Sequence, residues 1–138
     1  DLIALGVSAI GRVGATYSQN AKTLDEYYDL IDQGHLPVVR GLAVSRDDLL
    51  RRAVIMALMC QGSLDMKAIE QAWLVDFSSY FRAELEQLEE LQTQGLVALH
   101  TDTIDVTPVG WYFVRGVAMV FDRYLQTDRT RAKFSRII

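Results

Sequence analysis

The residues that could do chemistry are few, and their spacing decides between readings. Gly6, Gly11 and Gly14 lie close together near the start. The interval from Gly6 to Gly11 matches the front of a Walker A phosphate loop, which must continue into Lys-Ser or Lys-Thr. Arg12-Val13 stand there instead, so the lysine that would meet the phosphate charge is missing and the glycines read as backbone turns. Their position remains suggestive, because the end of a buried strand is where α/β folds bind ligands. Cys60, the single cysteine, excludes an internal disulfide, a CxxC pair and a self-contained cysteine cluster. It sits beside Met56 and Met59 without a basic neighbour to lower its pKa, so it reads as a buried structural thiol. His35 and His100 are far apart and lack a ligand-spaced carboxylate, which assigns no metal. Glu84, Glu86, Glu89 and Glu90 read as a solvated helix face. The tail carries Arg129, Arg131, Lys133 and Arg136 among Phe134, Ile137 and Ile138. It is either a frayed basic terminus or a clamp for an anionic partner, since arginine matches carboxylate geometry.

Those residues must be held by elements that periodicity can suggest. Leu2 to Ile10 is an apolar run without strict alternation, the pattern of a strand buried on both faces of a parallel sheet. No second strand of that kind follows, so the run is expected to complete a sheet lying outside this sequence. Gly11 to Asn20 reads as irregular loop. Thr23 caps a helix with Asp25 and Glu26 in its first turn and Leu24, Tyr27, Tyr28 and Ile31 as its apolar stripe. Gly34 stops it, and Gly34 to Ala43 is a connector. Ser45 with Asp48 resembles a capping box opening a helix that runs to Gln61-Gly62. Asp65 caps a short helix with Ile69, Ala72 and Trp73. Asp76 or Ser78 starts a longer one with Phe77, Phe81, Leu85, Leu88 and Leu91 inward, ended by Gly95. Leu96 to His100 and Thr103 to Val106 form a hairpin. Thr107-Pro108 then opens a last helix to about Gln126, apolar on most of its circumference.

The chain has 138 residues, 50% hydrophobic and 23% charged, with a formal net charge of -4. That is an ordinary globular composition with no membrane-length apolar run. The expected fold class is mainly α, a winged-helix-like helical domain with a small β-hairpin, preceded by a remnant strand and loop of a β/α barrel. Residues 1–20 would be that remnant, 21–44 a linking helix and connector, and 45–138 the helical domain with its basic tail. A winged helix raises DNA binding, in which the third helix enters the major groove. Here that helix, Ser78 to Gln94, offers Arg82 against Glu84, Glu86, Glu89 and Glu90, and the hairpin adds Asp102 and Asp105. Such a surface is repelled by phosphates, so a packing role is expected and no nucleic-acid partner.

A set of anchors in order carries a more specific resemblance. Asp1-Leu2-Ile3-Ala4-Leu5-Gly6-Val7-Ser8-Ala9-Ile10, Tyr17-Ser18-Gln19-Asn20, Arg40-Gly41, Arg46-Asp47-Asp48, Arg51-Arg52 and Phe134-Ser135-Arg136-Ile137-Ile138 span the chain. Together they resemble the C-terminal part of the oxygen-independent coproporphyrinogen III oxidases. The resemblance implies a radical S-adenosylmethionine (SAM) enzyme of haem biosynthesis, an oxidoreductase that converts two propionates of coproporphyrinogen III to vinyl groups, giving protoporphyrinogen IX. It implies a 4Fe-4S cluster on a CxxxCxxC motif, which cleaves SAM to a 5'-deoxyadenosyl radical, and a second SAM beside the first. It also implies a catalytic partial β/α barrel against which a mostly helical C-terminal domain packs.

This sequence lacks the cluster motif, so alone it is expected to be inactive and to hold none of these cofactors, and no catalytic residue is assigned. Ile10 matches the family residue lying against the second SAM. Arg40, Arg129, Arg131 and Arg136 are candidates for holding the carboxylates of a tetrapyrrole beneath a helical lid, on charge complementarity. The expected partners are that substrate and the N-terminal radical SAM domain of the same chain, in a cytoplasmic, monomeric protein without a membrane. The alternative from another class is a stand-alone winged-helix protein-interaction module without catalytic activity.

Overall fold

A computed structural model describes residues 1–128. The strands are β1 (Ile10–Val13), β2 (Thr16–Asn20), β3 (Val38–Ala43), β4 (Ser63–Asp65), β5 (Val97–Leu99) and β6 (Thr103–Val106). The α-helices are α1 (Leu24–Asp32), α2 (Arg46–Gln61), α3 (Met66–Trp73), α4 (Phe77–Tyr80), α5 (Arg82–Thr93), α6 (Val114–Met119) and α7 (Arg123–Asp128), with a 3-10 turn at Gly110–Phe113. About half of the described residues are helical, which agrees with a mainly α chain. No helix among them is long and apolar enough to cross a membrane. The chain divides into two compact units, Asp1–Leu49 and a second beginning at Leu50.

The first unit is built on a three-stranded antiparallel sheet in the order β1-β2-β3. This corrects two expectations. Leu2 to Ile10 is no parallel strand: Leu2 makes a single antiparallel bridge to Arg12, and strand geometry starts only at Ile10. Gly11 to Asn20 is no loop either, but the two arms of a hairpin turning at Gly14-Ala15. The connector after Gly34 likewise contains β3, all six residues of which are exposed. The physical reason is shared. Short strands gain their hydrogen bonds from the strands they pair with, so their own residue types announce little. Helix α1 forms as expected, with the Thr23 hydroxyl accepting from the Glu26 amide. Its apolar stripe, however, is open, with Leu24, Tyr28 and Ile31 exposed.

The second unit holds the core. Leu50, Val54 and Leu58 of α2 pack with Leu64, Met66, Phe77, Phe81, Leu88, Val97, Ile104, Val117, Ala118, Val120 and Phe121. Phe81 lies edge-on to Phe121 at 5.3 Å and against Phe77 at 4.8 Å, separations typical of favourable aromatic pairs. The capping residues act where expected. Ser45 and Asp48 bond reciprocally at 2.8 and 3.2 Å, Asp65 accepts from Ala68 N, and Asp76 accepts from Ser79 N. Gly95 closes α5 with φ of 74°, a conformation open to glycine without a Cβ penalty. The expected hairpin is β5-β6, and β4 joins it to give the order β4-β6-β5.

Three expectations fail in this unit. The helix from Ser78 is broken at Phe81, whose φ of -107° and ψ of 27° separate α4 from α5. The single helix from Pro108 to Gln126 is three short pieces. Its apolar circumference is not all buried, since Tyr112 is 87% exposed and Trp111 and Phe113 are about half exposed. Cys60 is exposed rather than buried, because the buried stripe of α2 runs through Val54 and Leu58 and leaves Met56, Met59 and Cys60 outward.

Candidate functional site

The assigned residues that the structure describes, Ile10 and Arg40, meet on one sheet. Ile10 pairs with Gln19, and Gln19 pairs with Arg40. Directly opposed residues of an antiparallel sheet project to the same face, so Ile10, Gln19 and Arg40 form a row across β1, β2 and β3. Two steps along each strand the same face continues as Arg12, Tyr17 and Leu42. Ile10 is 58% exposed, and Arg40 is exposed as well. With strands about 4.8 Å apart, an apolar contact and a guanidinium stand about 10 Å from one another across this face. The opposite face is made of small residues, Gly11, Ser18 and Gly41. A side chain at Gly11 would meet the backbone of Leu2 and Ala4 at 3.1 Å, so that face is partly covered by the start of the chain.

Ile10 is placed by a segment that the sheet alone does not explain. Between Ala4 and Ala9 the backbone follows an irregular path, with φ of 98° at Gly6 and 59° at Ser8. Asn20, 2% exposed, donates from its side-chain amide to the Gly6 carbonyl at 2.9 Å and the Ala4 carbonyl at 3.3 Å. The Gly6 amide donates to the Tyr27 hydroxyl at 3.2 Å. The Ser8 amide donates to Ala21 and the Asn20 amide to Ala9, at 2.7 and 3.0 Å. The sequence gives Gln19 and Asn20 no role of their own and counts Tyr27 only in the apolar stripe of α1. The signal available there was the Tyr17-to-Asn20 anchor, where a buried amide among short strands could serve backbone carbonyls.

In the second unit the polar feature is Arg51. Its Nη1 donates to Glu84 Oε1 at 2.7 Å and to the Phe121 carbonyl at 3.1 Å, and its guanidinium lies 5.3 Å from the centroid of the Phe81 ring. Both partners of the ion pair are largely buried, so Glu84 departs from the solvated acidic face expected of its helix. On the hairpin side, Lys67 bonds Asp102 at 2.7 Å, and this hydrogen bond holds the lysine above its usual pKa. The Ser79 hydrogen bonds hold Asp76 below the usual carboxylate range. Arg129, Arg131 and Arg136 lie outside the described residues.

The fit to the implied cofactors is uneven. An iron–sulfur cluster needs three thiolates, while the chain has one exposed cysteine and no group of three metal-binding side chains among the described residues. For SAM, the exposed Ile10 beside Gln19 offers an apolar contact with a polar neighbour, which fits a contributory contact.

Comparison with known proteins shows what the chain is similar to. A family profile described as "HemN C-terminal domain" matches residues 44–113. The oxygen-independent coproporphyrinogen III oxidase of Salmonella typhimurium is 41% identical over all 138 residues, and that of Pseudomonas aeruginosa 43%. The chain spans 30% of the length of each. A solved structure described as "Coproporphyrinogen III oxidase (HemN) from Escherichia coli is a Radical SAM enzyme" superposes with a TM-score of 0.84 at 42% identity, covering 87% of this chain and 28% of the other. With half of its residues under the family profile, the chain belongs to the HemN C-terminal domain family.

Proposed function

We propose that this chain is the C-terminal part of an oxygen-independent coproporphyrinogen III oxidase, a cytoplasmic, monomeric enzyme of porphyrin biosynthesis. The observation that carries this reading is the 41% identity along all 138 residues to relatives of that name. Residues 1–20 and the linking segment 21–44, which share the sheet β1-β2-β3, adjoin the radical SAM barrel domain, and 45–138 supply a winged-helix-like lid with a basic tail. The order helix, strand, helices, strand, strand from α2 to β6, with sheet order β4-β6-β5, supports the winged-helix description. The many exposed apolar side chains of the first unit, Leu5 and Leu36 at over 80% among them, support a neighbouring domain in the full-length protein.

In the full-length enzyme, radical chemistry would come from SAM and from a cluster held by residues outside this sequence. What this chain contributes is binding. Ile10 gives an apolar contact to the second SAM. Arg40 holds a propionate of the tetrapyrrole by charge-assisted hydrogen bonds, and Arg129, Arg131 and Arg136 hold others.

The full-length protein, with its cluster reconstituted anaerobically, is expected to convert coproporphyrinogen III to protoporphyrinogen IX with release of carbon dioxide, while residues 1–138 alone do not. Absence of product from a cluster-loaded, SAM-cleaving enzyme would overturn the assignment. Replacing Arg131 and Arg136 together by alanine should raise the substrate concentration needed for half-maximal rate. Unchanged kinetics would remove the tail from the substrate site.

A further inference from the structure

We propose that Asn20 is a positioning residue for cofactor binding, acting through the Ala4–Ile10 segment with Tyr27 as its second support. The inference rests on the reading of Ile10 as a contact to the second SAM.

Three observations carry it. Asn20 is the buried polar residue of the described chain, and a buried amide persists only where its hydrogen bonds are made. Both of its side-chain bonds go to carbonyls 14 and 16 residues earlier, Gly6 and Ala4, rather than to its own sheet. The segment that it grips is held away from regular geometry, with Ser8 at φ of 59° although it is not glycine. Such a conformation is strained for a residue with a side chain and survives where the surroundings over-determine it.

The clamp closes on both sides of the turn. Asn20 takes the Gly6 and Ala4 carbonyls, the Tyr27 hydroxyl takes the Gly6 amide, and the backbone of Asn20 and Ala21 takes Ala9 and Ser8. Ile10 follows directly, as the first residue of β1. Its exposed side chain is therefore fixed from behind by groups that need not touch the cofactor.

The test uses the full-length, cluster-loaded enzyme, with labelled SAM in equilibrium binding and amide hydrogen exchange as readouts. Asn20→Asp keeps the shape but turns the donor into a carboxylate facing two carbonyls. It should weaken the second SAM about tenfold or more, as expected for two lost hydrogen bonds. The first SAM and the cluster content should stay at wild-type level, while exchange at amides 4–10 accelerates. Tyr27→Phe should act in the same direction by about threefold, as for one neutral bond, and carries the test if Asn20→Asp does not fold. Equal weakening of both SAM molecules would mark a general structural role and overturn the proposal. So would a normal second site in both variants while Ile10→Ala weakens it. If Ile10→Ala binds both molecules normally, the contact reading fails first, and the proposal falls with it.

Discussion

The two units are held together by different forces. In the unit beginning at Leu50, aromatic and aliphatic side chains from α2, α4, α5, the β4-β6-β5 sheet and the C-terminal helices share one apolar core. In Asp1–Leu49, Ala21 is the sole buried hydrophobic residue of the core set, and order comes from strand pairing and the Asn20 clamp. Each backbone hydrogen bond contributes about 1 kcal/mol net, whereas each large buried side chain contributes about 1.5–3 kcal/mol. The second unit therefore carries its own stability. The first leaves most of its large apolar residues exposed.

That contrast can be broken most sharply in the core. Phe81→Ala is expected to destabilise the second unit by about 3–5 kcal/mol in chemical denaturation, because it removes a ring wholly enclosed by Phe77, Phe121 and Arg51. The matched substitution in the first unit, Leu42→Ala, should stay within about 0.5 kcal/mol, since Leu42 is already 57% exposed. A large loss at Leu42 would end the distinction.

A smaller effect is expected from Glu84→Gln, about 1–3 kcal/mol by the same measurement, because the substitution removes the charge of a largely buried ion pair with Arg51. Gly62→Ala should cost about 1 kcal/mol or more, since φ there is 69° and the new Cβ would stand 2.9 Å from the Trp111 ring.

The least effect belongs to the exposed cap of α4. Asp76 has its carboxyl pKa lowered in the folded state by the Ser79 hydrogen bonds. Its contribution is thus present above the unfolded carboxylate pKa and is lost as pH falls through the lowered folded value. Asp76→Asn should flatten the acid limb of the melting temperature against pH, and an unchanged limb would show that the cap contributes nothing.

What could be read from the residues alone was local. Thr23, Ser45 with Asp48, Asp65 and Asp76 begin helices because a side-chain oxygen reaches an amide three residues on. Phe77, Phe81 and Leu88 could be named as core because apolar residues recur there at helical spacing, although the helix breaks at Phe81. The resemblance that points to the family was likewise carried by ordered anchors from Asp1 to Ile138. The first unit was the harder part. Its apolar run suggested a buried strand, but Leu2, Ile3 and Leu5 are exposed and the strands lie in polar and glycine-containing stretches.

The sequence by itself thus determined where the helices up to α4 begin, their caps, part of the core and the family, all of which depend on residues near one another or on their order. Only the tertiary structure decided that Ile10, Gln19 and Arg40 share a row, that Asn20 grips Ala4 and Gly6, and that Glu84 is paired inside rather than solvated. Those facts depend on strand register and on contacts 14 to 33 residues apart along the chain. No local periodicity encodes them, because a hydrogen bond between distant segments is chosen by the fold that brings them together.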